Sequence, residues 1–436
     1  MIATAAPALP TLPWLLAGPG PGAGPEPLTS HLARLGPRPR GGAGVMAAVG
    51  DSGLQGRGGA RFPAGTKWRA VAARGRRRAV VLVNGAEGEP ASAKDQVLMH
   101  LRPHLVLDGA LLAAESVGAQ EVVLYVGRAF AAAAESLRAA LRERDLARPA
   151  GRRSTPGPSV ELVLAPDRYL AGEETAAVNL VNGGDARPTF TPPRPFERGI
   201  RGRPTLVQNV ETLALVALIA RFGPAWFRSQ GTAATPGSML VTLGGAVARP
   251  GVYEVPHGVA LDQVVAMAGG SAPRAPAILI GGYFGSWVRA SWAPSLRLDD
   301  EVMGRAGLSL GTGAVVVLPE QACGVAETAR ILRFLAGESA GQCGPCRHGL
   351  PAMADEVERL AGGWRSSGDG DRLWRWTDQL AHGRGACKHP DGTAGLLRSA
   401  LHTLAADFEV HARHGECRGS QLPSCLPPPR ERGGWR

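Results

Sequence analysis

The feature that most constrains the fold is an alternation of short β-like runs with helix-like stretches between Gly53 and about Phe222. Val80-Val81-Leu82-Val83, Glu121-Val122-Val123-Leu124-Tyr125-Val126 and Val160-Glu161-Leu162-Val163-Leu164 read as strands. Between them, Leu105 to Val117 and Ala129 to Leu141 carry apolar residues at helical spacing. Alternation of this kind predicts an α/β layer with a largely parallel sheet.

The pattern changes at Thr235-Pro236-Gly237. Met239-Leu240-Val241-Thr242-Leu243 and Gly251-Val252-Tyr253-Glu254-Val255 then read as a hairpin, followed by a helix over Leu261 to Ala268 and a strand at Ala277-Ile278-Leu279-Ile280. This predicts a small α+β module. From Glu320 onward the spacing is helical, over Ala326 to Leu335, Gly349 to Leu360, Arg372 to His382 and Thr393 to His411. The predicted division is an extension over 1–45, an α/β domain over 46–235, an α+β domain over 236–319, a helical domain over 320–411 and a tail over 412–436. The extension is rich in Pro, Gly and Ala and is expected to be mostly unstructured, with one short helix at Leu28 to Leu35; the tail is rich in Pro and Arg.

A chain of 436 residues, 44% apolar, is long enough for several packed cores, and 60 glycines with 36 prolines predict many loops. The net charge is +11, yet only Lys67, Lys94 and Lys388 are lysines. Arg-for-Lys usage in a GC-biased genome accounts for most of that charge. No zinc-finger, helix-turn-helix or aromatic-basic pattern supports nucleic-acid binding. The run Arg74, Arg76, Arg77 and Arg78 reads as a solvated strand entry. Six cysteines are too few and too unevenly spaced for a disulfide framework. The N-terminus lacks signal-peptide character, and no run of about 18 apolar residues can span a bilayer. A cytoplasmic, reducing setting is expected, where clustered cysteines mean metal or redox chemistry.

Four segments in the α/β layer have ligand-binding chemistry. Gly56-Arg57-Gly58-Gly59 lies in a glycine-dense loop followed by Phe62 and Lys67. Such a loop lets backbone amides converge on an anion and a flat ring approach the chain, with Arg57 and Lys67 as counter-charges. Asn84, Glu87 and Glu89 follow a predicted strand, where open α/β sheets bind ligands; an acidic turn is the bland alternative. Gly172-Glu173-Glu174 opens a helix, and capping alone would explain its carboxylates. Val207-Gln208-Asn209 supplies donors and acceptors at the start of another helix.

In this order, and with Glu338-Ser339-Ala340-Gly341-Gln342-Cys343-Gly344-Pro345-Cys346-Arg347-His348-Gly349 downstream, the chain resembles the NADH-oxidising flavoprotein subunit of respiratory complex I and its relatives in NAD-linked hydrogenases and formate dehydrogenases. The family form of that last motif is E-S-C-G-x-C-x-P-C-R-x-G. The resemblance covers roughly residues 50 to 411. It implies an FMN-binding α/β domain, a ubiquitin-like β-grasp (SLBB-type) domain and a helical bundle carrying one [4Fe–4S] cluster. By the resemblance, Gly56, Arg57, Gly58, Gly59 and Lys67 match the FMN loop. Asn84, Glu87, Gly172, Glu173, Glu174, Val207, Gln208 and Asn209 match other flavin positions, and Phe62, Glu89 and Glu174 match positions near the nicotinamide nucleotide. The implied activity is hydride transfer from NAD(P)H to FMN and single-electron transfer to the cluster, with the flavin carrying the chemistry. The implied partner is a redox protein such as a thioredoxin-like iron–sulfur subunit or a ferredoxin-like protein. A catalytically inactive scaffold or docking subunit is the alternative.

Several positions depart from the family. Its first cluster cysteine is Ala340 here, leaving Cys343, Cys346 and Cys387 as metal ligands. The expected outcomes are a [4Fe–4S] cluster with water, His or a distant Cys at the fourth iron, a [3Fe–4S] cluster, or none. Cys417 or Cys425, on the tail, could reach the vacant position. Cys323 reads as core, and His348 and His389 as surface residues. The nucleotide clamp is also altered: Ala70 and Arg194 replace family Phe residues, so Phe62 alone remains of three adenine-contacting aromatics. Arg61 replaces a Gly and is expected to project toward the nucleotide groove; Ala86 replaces an Asp. Arg187, Arg194, Arg198, Arg201 and Arg203 border that groove with only Glu197 opposing them, which favours an anionic nucleotide or an acidic protein.

Overall fold

The computed structural model describes residues 12–74, 79–147, 157–270, 274–364, 369–415, 417–428 and 433–436. Arg76, Arg77 and Arg78 of the arginine run lie outside them.

The expected unstructured extension over 1–45 lies outside the described residues at 1–11, and from residue 12 onward it is ordered. Trp14 and Leu15 are buried, and the Trp14 ring lies 4.1 Å from that of Trp226. The amides of Trp14, Leu15 and Leu16 donate to Glu254 Oε2 at 2.8, 2.7 and 3.1 Å. Large apolar side chains with a buried carboxylate to receive their backbone overcome the disordering effect of the surrounding Pro and Gly. Helices α1 (Leu28–Leu35), α2 (Ala43–Asp51) and α3 (Ala64–Ala72) follow.

The first layer runs β1 (Val80–Gly85), α4 (Lys94–Leu101), α5 (Pro103–Val117), β2 (Glu121–Gly127), α6 (Ala131–Leu146), β3 (Ser159–Ala165), α7 (Glu174–Val181), β4 (Thr205–Asn209), α8 (Val210–Phe222) and the single turn α9 (Pro224–Phe227). Its four strands are all parallel, in the order β3-β2-β1-β4. Val81 and Val83 of β1 join a core with α5 and α8, whereas Val80 and Leu82 pack on the opposite face with Ala177 and Val178 of α7. Cover on both faces is why β1 is continuously apolar and not alternating. Gly109 lets α5 cross α8 closely, since a Cβ there would lie 1.9 Å from the Leu213 carbonyl oxygen.

The strand order positions the site. From β1 the chain proceeds outward to β2 and β3 and then returns to β4 on the other side of β1. A crevice opens at the carboxyl ends of strands where the winding reverses. Here those ends are Asn84 and Asn209, which face each other in register.

The second layer comprises β5 (Ser238–Gly245), β6 (Gly251–Pro256), α10 (Leu261–Met267), β7 (Ala277–Ile280), β8 (Ser286–Arg289), α11 (Asp300–Arg305) and β9 (Ala314–Val317). The order is β6-β5-β9-β7-β8, with β5 and β9 parallel and the expected β5–β6 hairpin antiparallel. Val264 and Val265 of α10 pack on its inner face.

The helical region contains α12 (Gly324–Gly337), α13 (Leu350–Ala361), α14 (Asp369–Leu380), α15 (His389–Thr403) and α16 (Ala405–His414). The single helix expected over Thr393 to His411 is broken at Leu404, whose buried side chain packs against Gly324 at the start of α12. The described parts of the tail are also placed. Leu426 is buried, the Trp435 ring stacks under Arg168 at 4.1 Å, and the Trp435 carbonyl accepts from the Ala186 amide at 2.7 Å.

Candidate functional site

The glycine loop lies over the end of β4. A Cβ on Gly58 would sit 3.4 Å from Asn209 Cβ, and Gly59 has φ +102°, a conformation that favours glycine. The loop is fixed by Gly56 N donating to the Phe62 carbonyl at 2.9 Å and Arg57 N donating to Thr212 Oγ1 at 2.8 Å. Its two arginines do not act as the sequence suggested. Arg57 is buried: its guanidinium donates to the Ser238 carbonyl at 2.9 Å and lies 3.8 Å from Glu211. Burial pushes it down to about 9. Arg57 therefore ties the loop to α8 and β5 and is not a counter-charge in the crevice. Arg61 likewise turns inward, 3.5 Å from Asp300 of α11, and does not project into a nucleotide groove.

At the end of β1, Asn84 Nδ2 donates to the Gly172 carbonyl at 2.7 Å, bringing the segment before α7 against the strand. Asn209 Oδ1 caps α8 through the Glu211 amide at 3.0 Å while its Nδ2 donates to Asp95 at 2.7 Å. Beneath these amides lies a buried charge network that sequence reasoning missed. Lys94 Nζ donates to Asp95 at 2.7 Å and contacts Glu211 at 2.9 Å, with all three side chains almost fully buried. Burial alone would lower the Lys94 ammonium, but Asp95, Glu211 and Glu87 hold it above its ordinary value. The available signal was that Lys94 is one of three lysines in a chain whose other basic residues are all Arg.

Glu87 and Glu89 are not open acceptors, as the turn suggested. Glu87, at φ 39°, accepts from the amides of Asp95 and Gln96, both at 2.9 Å, and from Ser92 Oγ at 2.7 Å. It therefore complements the first turn of α4. Glu89 accepts from Ala91 N, Tyr283 N and Tyr169 Oη at 3.0, 2.9 and 3.0 Å. Gly88 is required between them, because a Cβ would lie 2.4 Å from the Tyr169 carbonyl oxygen. Val207 and Gln208 are buried, and Gln208 Oε1 has no hydrogen-bond partner among the described residues.

The start of α7 completes the crevice. Glu173 caps the helix by accepting from the Thr175 and Ala176 amides at 2.9 and 3.0 Å, so the capping alternative describes it; burial raises its carboxyl. Glu174 accepts from Lys67 of α3 at 2.9 Å. Thr175 Oγ1 receives the Thr189 amide at 2.8 Å, which ties the backbone just before Phe190 to the first turn of α7, while Phe62 lies two residues before α3. Both rings are exposed, Phe62 at 52% and Phe190 at 74%. Phe190 was missed because it sits one residue before the altered Thr191-Pro192-Pro193-Arg194 run. The border arginines are less free than supposed. Arg201 and Arg203 both pair with Glu121, and Arg187 stacks on Trp435 at 5.0 Å, while Arg194 and Arg198 stay exposed.

The cysteine motif is joined to this layer. Glu338 receives Arg168 Nε at 3.0 Å and the Tyr169 amide at 2.8 Å. Cys346 is buried, and its thiol is pushed up to about 12 by burial, with Ser339, Cys343 and Cys387 as electrostatic neighbours. Burial also raises Cys387, whose neighbours include Glu173 at the head of α7. Ala340 offers no donor atom, so three neighbouring thiols stand where a cubane would use four. His348 is exposed, as expected, but His389 is buried, with Nε2 2.8 Å from the Leu335 carbonyl and its ring edge-on to Phe284 at 5.3 Å. The tail cysteines do not fill the vacant position. Cys417 lies beside Cys323 and Cys425 beside Glu327, at the start of α12, whereas the motif follows its end. Fourteen residues of helix, roughly 21 Å, separate the two ends.

Comparison with known proteins agrees with this architecture. Residues 49–218 match the Nuo51 FMN-binding domain, residues 240–282 the SLBB domain, and residues 326–411 the NADH-ubiquinone oxidoreductase-F iron-sulfur binding region. The second NADH-quinone oxidoreductase-F protein of Rhizobium meliloti is 33% identical over 383 residues, which is 86% of this chain and 90% of that protein. The chain belongs to the NADH-quinone oxidoreductase-F family. The oxidoreductase-F protein of Mycobacterium tuberculosis strain H37Rv is 34% identical over 388 residues, covering 86% of this chain and 85% of that protein. A crystal structure of an NAD+-reducing [NiFe]-hydrogenase in the H2-reduced state superposes with a TM-score of 0.79 at 33% identity over 85% of this chain. The present chain spans only 62% of that hydrogenase chain. The expected fold, an FMN-binding α/β domain followed by an SLBB domain and a helical iron–sulfur region, is that of the oxidoreductase-F family. Among the described residues no single helix is long and apolar enough to cross a membrane; the pair α4 and α5 passes only together, bent by 98°, and its apolar residues lie in the core.

Proposed function

We propose that this chain is an electron-entry subunit that oxidises NAD(P)H with FMN and passes electrons through an iron–sulfur cluster to a separate redox protein. The observation that carries this reading is the adjacency of the switch-point crevice to the three neighbouring thiols, through Glu173 beside Cys387. The same α7 entry supplies Glu173 to the thiols' surroundings and Glu174 and Gly172 to the crevice.

The crevice residues fit FMN. Gly58 and Gly59 carry no side chain to obstruct a flat group, Asn84 and the unpartnered Gln208 Oε1 offer ring-edge contacts, and the Lys67 ammonium offers charge to a phosphate. Bound there, FMN would accept a hydride and release electrons singly. The protein's own part is to hold and orient. Lys94, Asp95 and Asn209 stiffen the crevice floor, Glu173 fixes the head of α7, and Phe62 presents an exposed face on which an adenine can stack. Phe190, exposed and four residues before Arg194, would supply a second face in place of the aromatics that Ala70 and Arg194 replace in this chain. Cys343, Cys346 and Cys387 fit three corners of a cluster, the fourth iron taking a ligand from solvent. We assign the functional domains to residues 46–235, 236–319 and 320–411, with a cytoplasmic setting and a thioredoxin-like or ferredoxin-like partner.

Reduction of ferricyanide by the purified, FMN-loaded chain with NADH or NADPH tests this reading and identifies the donor. Turnover with either nucleotide is expected. A chain that holds FMN but turns over with neither is the scaffold alternative and overturns the proposal.

A further inference from the structure

The proposed electron path uses three of the six cysteines. Two of the others meet a histidine at the opposite end of α12. Cys323 is the N-cap of α12, His411 lies on α16, and Cys417 opens the C-terminal tail. The two Sγ atoms and one ring nitrogen all lie within 4.8 Å of one another. Cys323 Sγ and His411 Nε2 are 3.2 Å apart, and both residues are buried.

The histidine is already oriented. Its Nδ1 lies 3.1 Å from the Leu360 carbonyl oxygen, which can only accept, so Nδ1 carries the proton and Nε2 presents its lone pair toward Cys323. Metal-binding histidines are commonly held by such a contact to a backbone carbonyl. The tail is held equally closely. A Cβ on Gly419 would lie 2.5 Å from the Gln321 carbonyl oxygen, and beyond it Ser424 Oγ donates to Glu327 at 2.7 Å.

We propose that Cys323, His411 and Cys417 form a second metal site, for zinc or a similar soft tetrahedral divalent ion, that clasps the C-terminal tail to α12 and α16. Two thiolates and an imidazole are the donor set such an ion prefers. With Zn–S bonds of about 2.3 Å, tetrahedral geometry needs sulfurs roughly 3.7 Å apart, so the existing cluster requires only small side-chain shifts. Binding displaces two thiol protons to solvent, and the two thiolates then balance the ion's charge in a buried setting. The fourth position is open to water or to Cys425, eight residues along the tail. The clasp holds one end of a segment whose other end, Trp435 and Arg436, docks on Ala186 and Asp185 beside the crevice.

The test uses the full-length chain purified under reducing conditions, loaded with zinc, passed over a chelating resin and assayed for zinc and iron by elemental analysis. One zinc per chain is expected. It should persist in Cys343→Ser/Cys346→Ser, which disrupts the iron–sulfur motif, and disappear in Cys417→Ser. Cobalt in the Cys343→Ser/Cys346→Ser chain should give the visible bands of a tetrahedral thiolate complex, a readout that needs no change to the clasp. Absence of those bands, zinc retained by a folded Cys417→Ser chain, or zinc lost with Cys343 and Cys346 would overturn the proposal. So would a Cys323–Cys417 disulfide that persists in the reduced protein.

Discussion

Replacing Lys94 with methionine should destabilise the first domain far more than losing an ordinary surface ion pair. Lys94 Nζ lies 2.7 Å from Asp95 and 2.9 Å from Glu211 and also donates to Asn209 Oδ1 at 3.4 Å, in a network almost closed to solvent. Methionine fills much of the volume but leaves both carboxylates buried, with Arg57, 3.8 Å from Glu211, the nearest remaining cation. Breaking a buried pair by removing one partner costs about 3–5 kcal/mol. At a urea slope of about 3 kcal/mol/M, a loss of about 4 kcal/mol shifts the midpoint down by roughly 1 M. Lys67→Met is the internal control: its pair with Glu174 is partly exposed, 23% and 28%, and should cost less than about 1 kcal/mol. The assay is urea unfolding followed by the fluorescence of buried tryptophans. The deficit of Lys94→Met should shrink between pH 8 and pH 5, because burial already raises the Asp95 carboxyl and protonating it relieves the cost of leaving it stranded. Adding Glu211→Gln should recover part of the loss. A midpoint shift no larger than that of Lys67→Met, or one independent of pH, would refute the view that this network supports the crevice floor.

Other consequences follow from single contacts. Phe62→Ala should raise KM for the nucleotide about tenfold or more with little change in kcat, since aromatic stacking on a base is worth about 1–3 kcal/mol in nucleic-acid sites; Phe190→Ala should act in the same direction, and unchanged KM in both would remove the clamp assignment. Ala340→Cys should add a fourth thiolate, so that the cluster's visible absorbance decays more slowly under a chelator than in wild type; equal decay would mean position 340 does not face the cluster. Burial pushes Glu254 from its ordinary 4.5 up to about 7, so the folded state holds that proton more tightly. The resulting stabilisation, about 3 kcal/mol, is fully present below pH 4.5 and is lost as pH rises through 7. Glu254→Gln cannot ionise, and its unfolding free energy should lack this decline; parallel wild-type and variant pH profiles would contradict the assignment.

The sequence was most informative where one physical constraint dominated. The continuous apolar run of β1 and the spacing of α5 and β2 marked a covered parallel sheet, and the cysteine motif marked its own location. Strand β4 was less visible, because Thr205–Asn209 is short and its polar end reads as the start of α8. The N-terminal segment was misread because its order depends on Glu254, some 240 positions away, and on Trp226, neither of which leaves a local signal. At the site, residue types were legible but their directions were not. Glu87, Glu89, Arg57 and Arg61 each have the chemistry to meet a ligand, yet each is directed at a protein partner instead. Cys417 shows the same limit: as a tail cysteine it could serve the vacant cluster position, but the tail packs at the other end of α12, beside Cys323 and His411.

The central claim, that the crevice holds FMN and delivers electrons to three thiol-bound irons, is tested most directly by an anaerobic titration of the purified chain with NADH and NADPH, recorded as a visible spectrum. Flavin absorbance and a broader iron–sulfur absorbance should bleach together on addition of one of the nucleotides. A chain without flavin that takes up no FMN, or flavin that neither nucleotide bleaches, would contradict it.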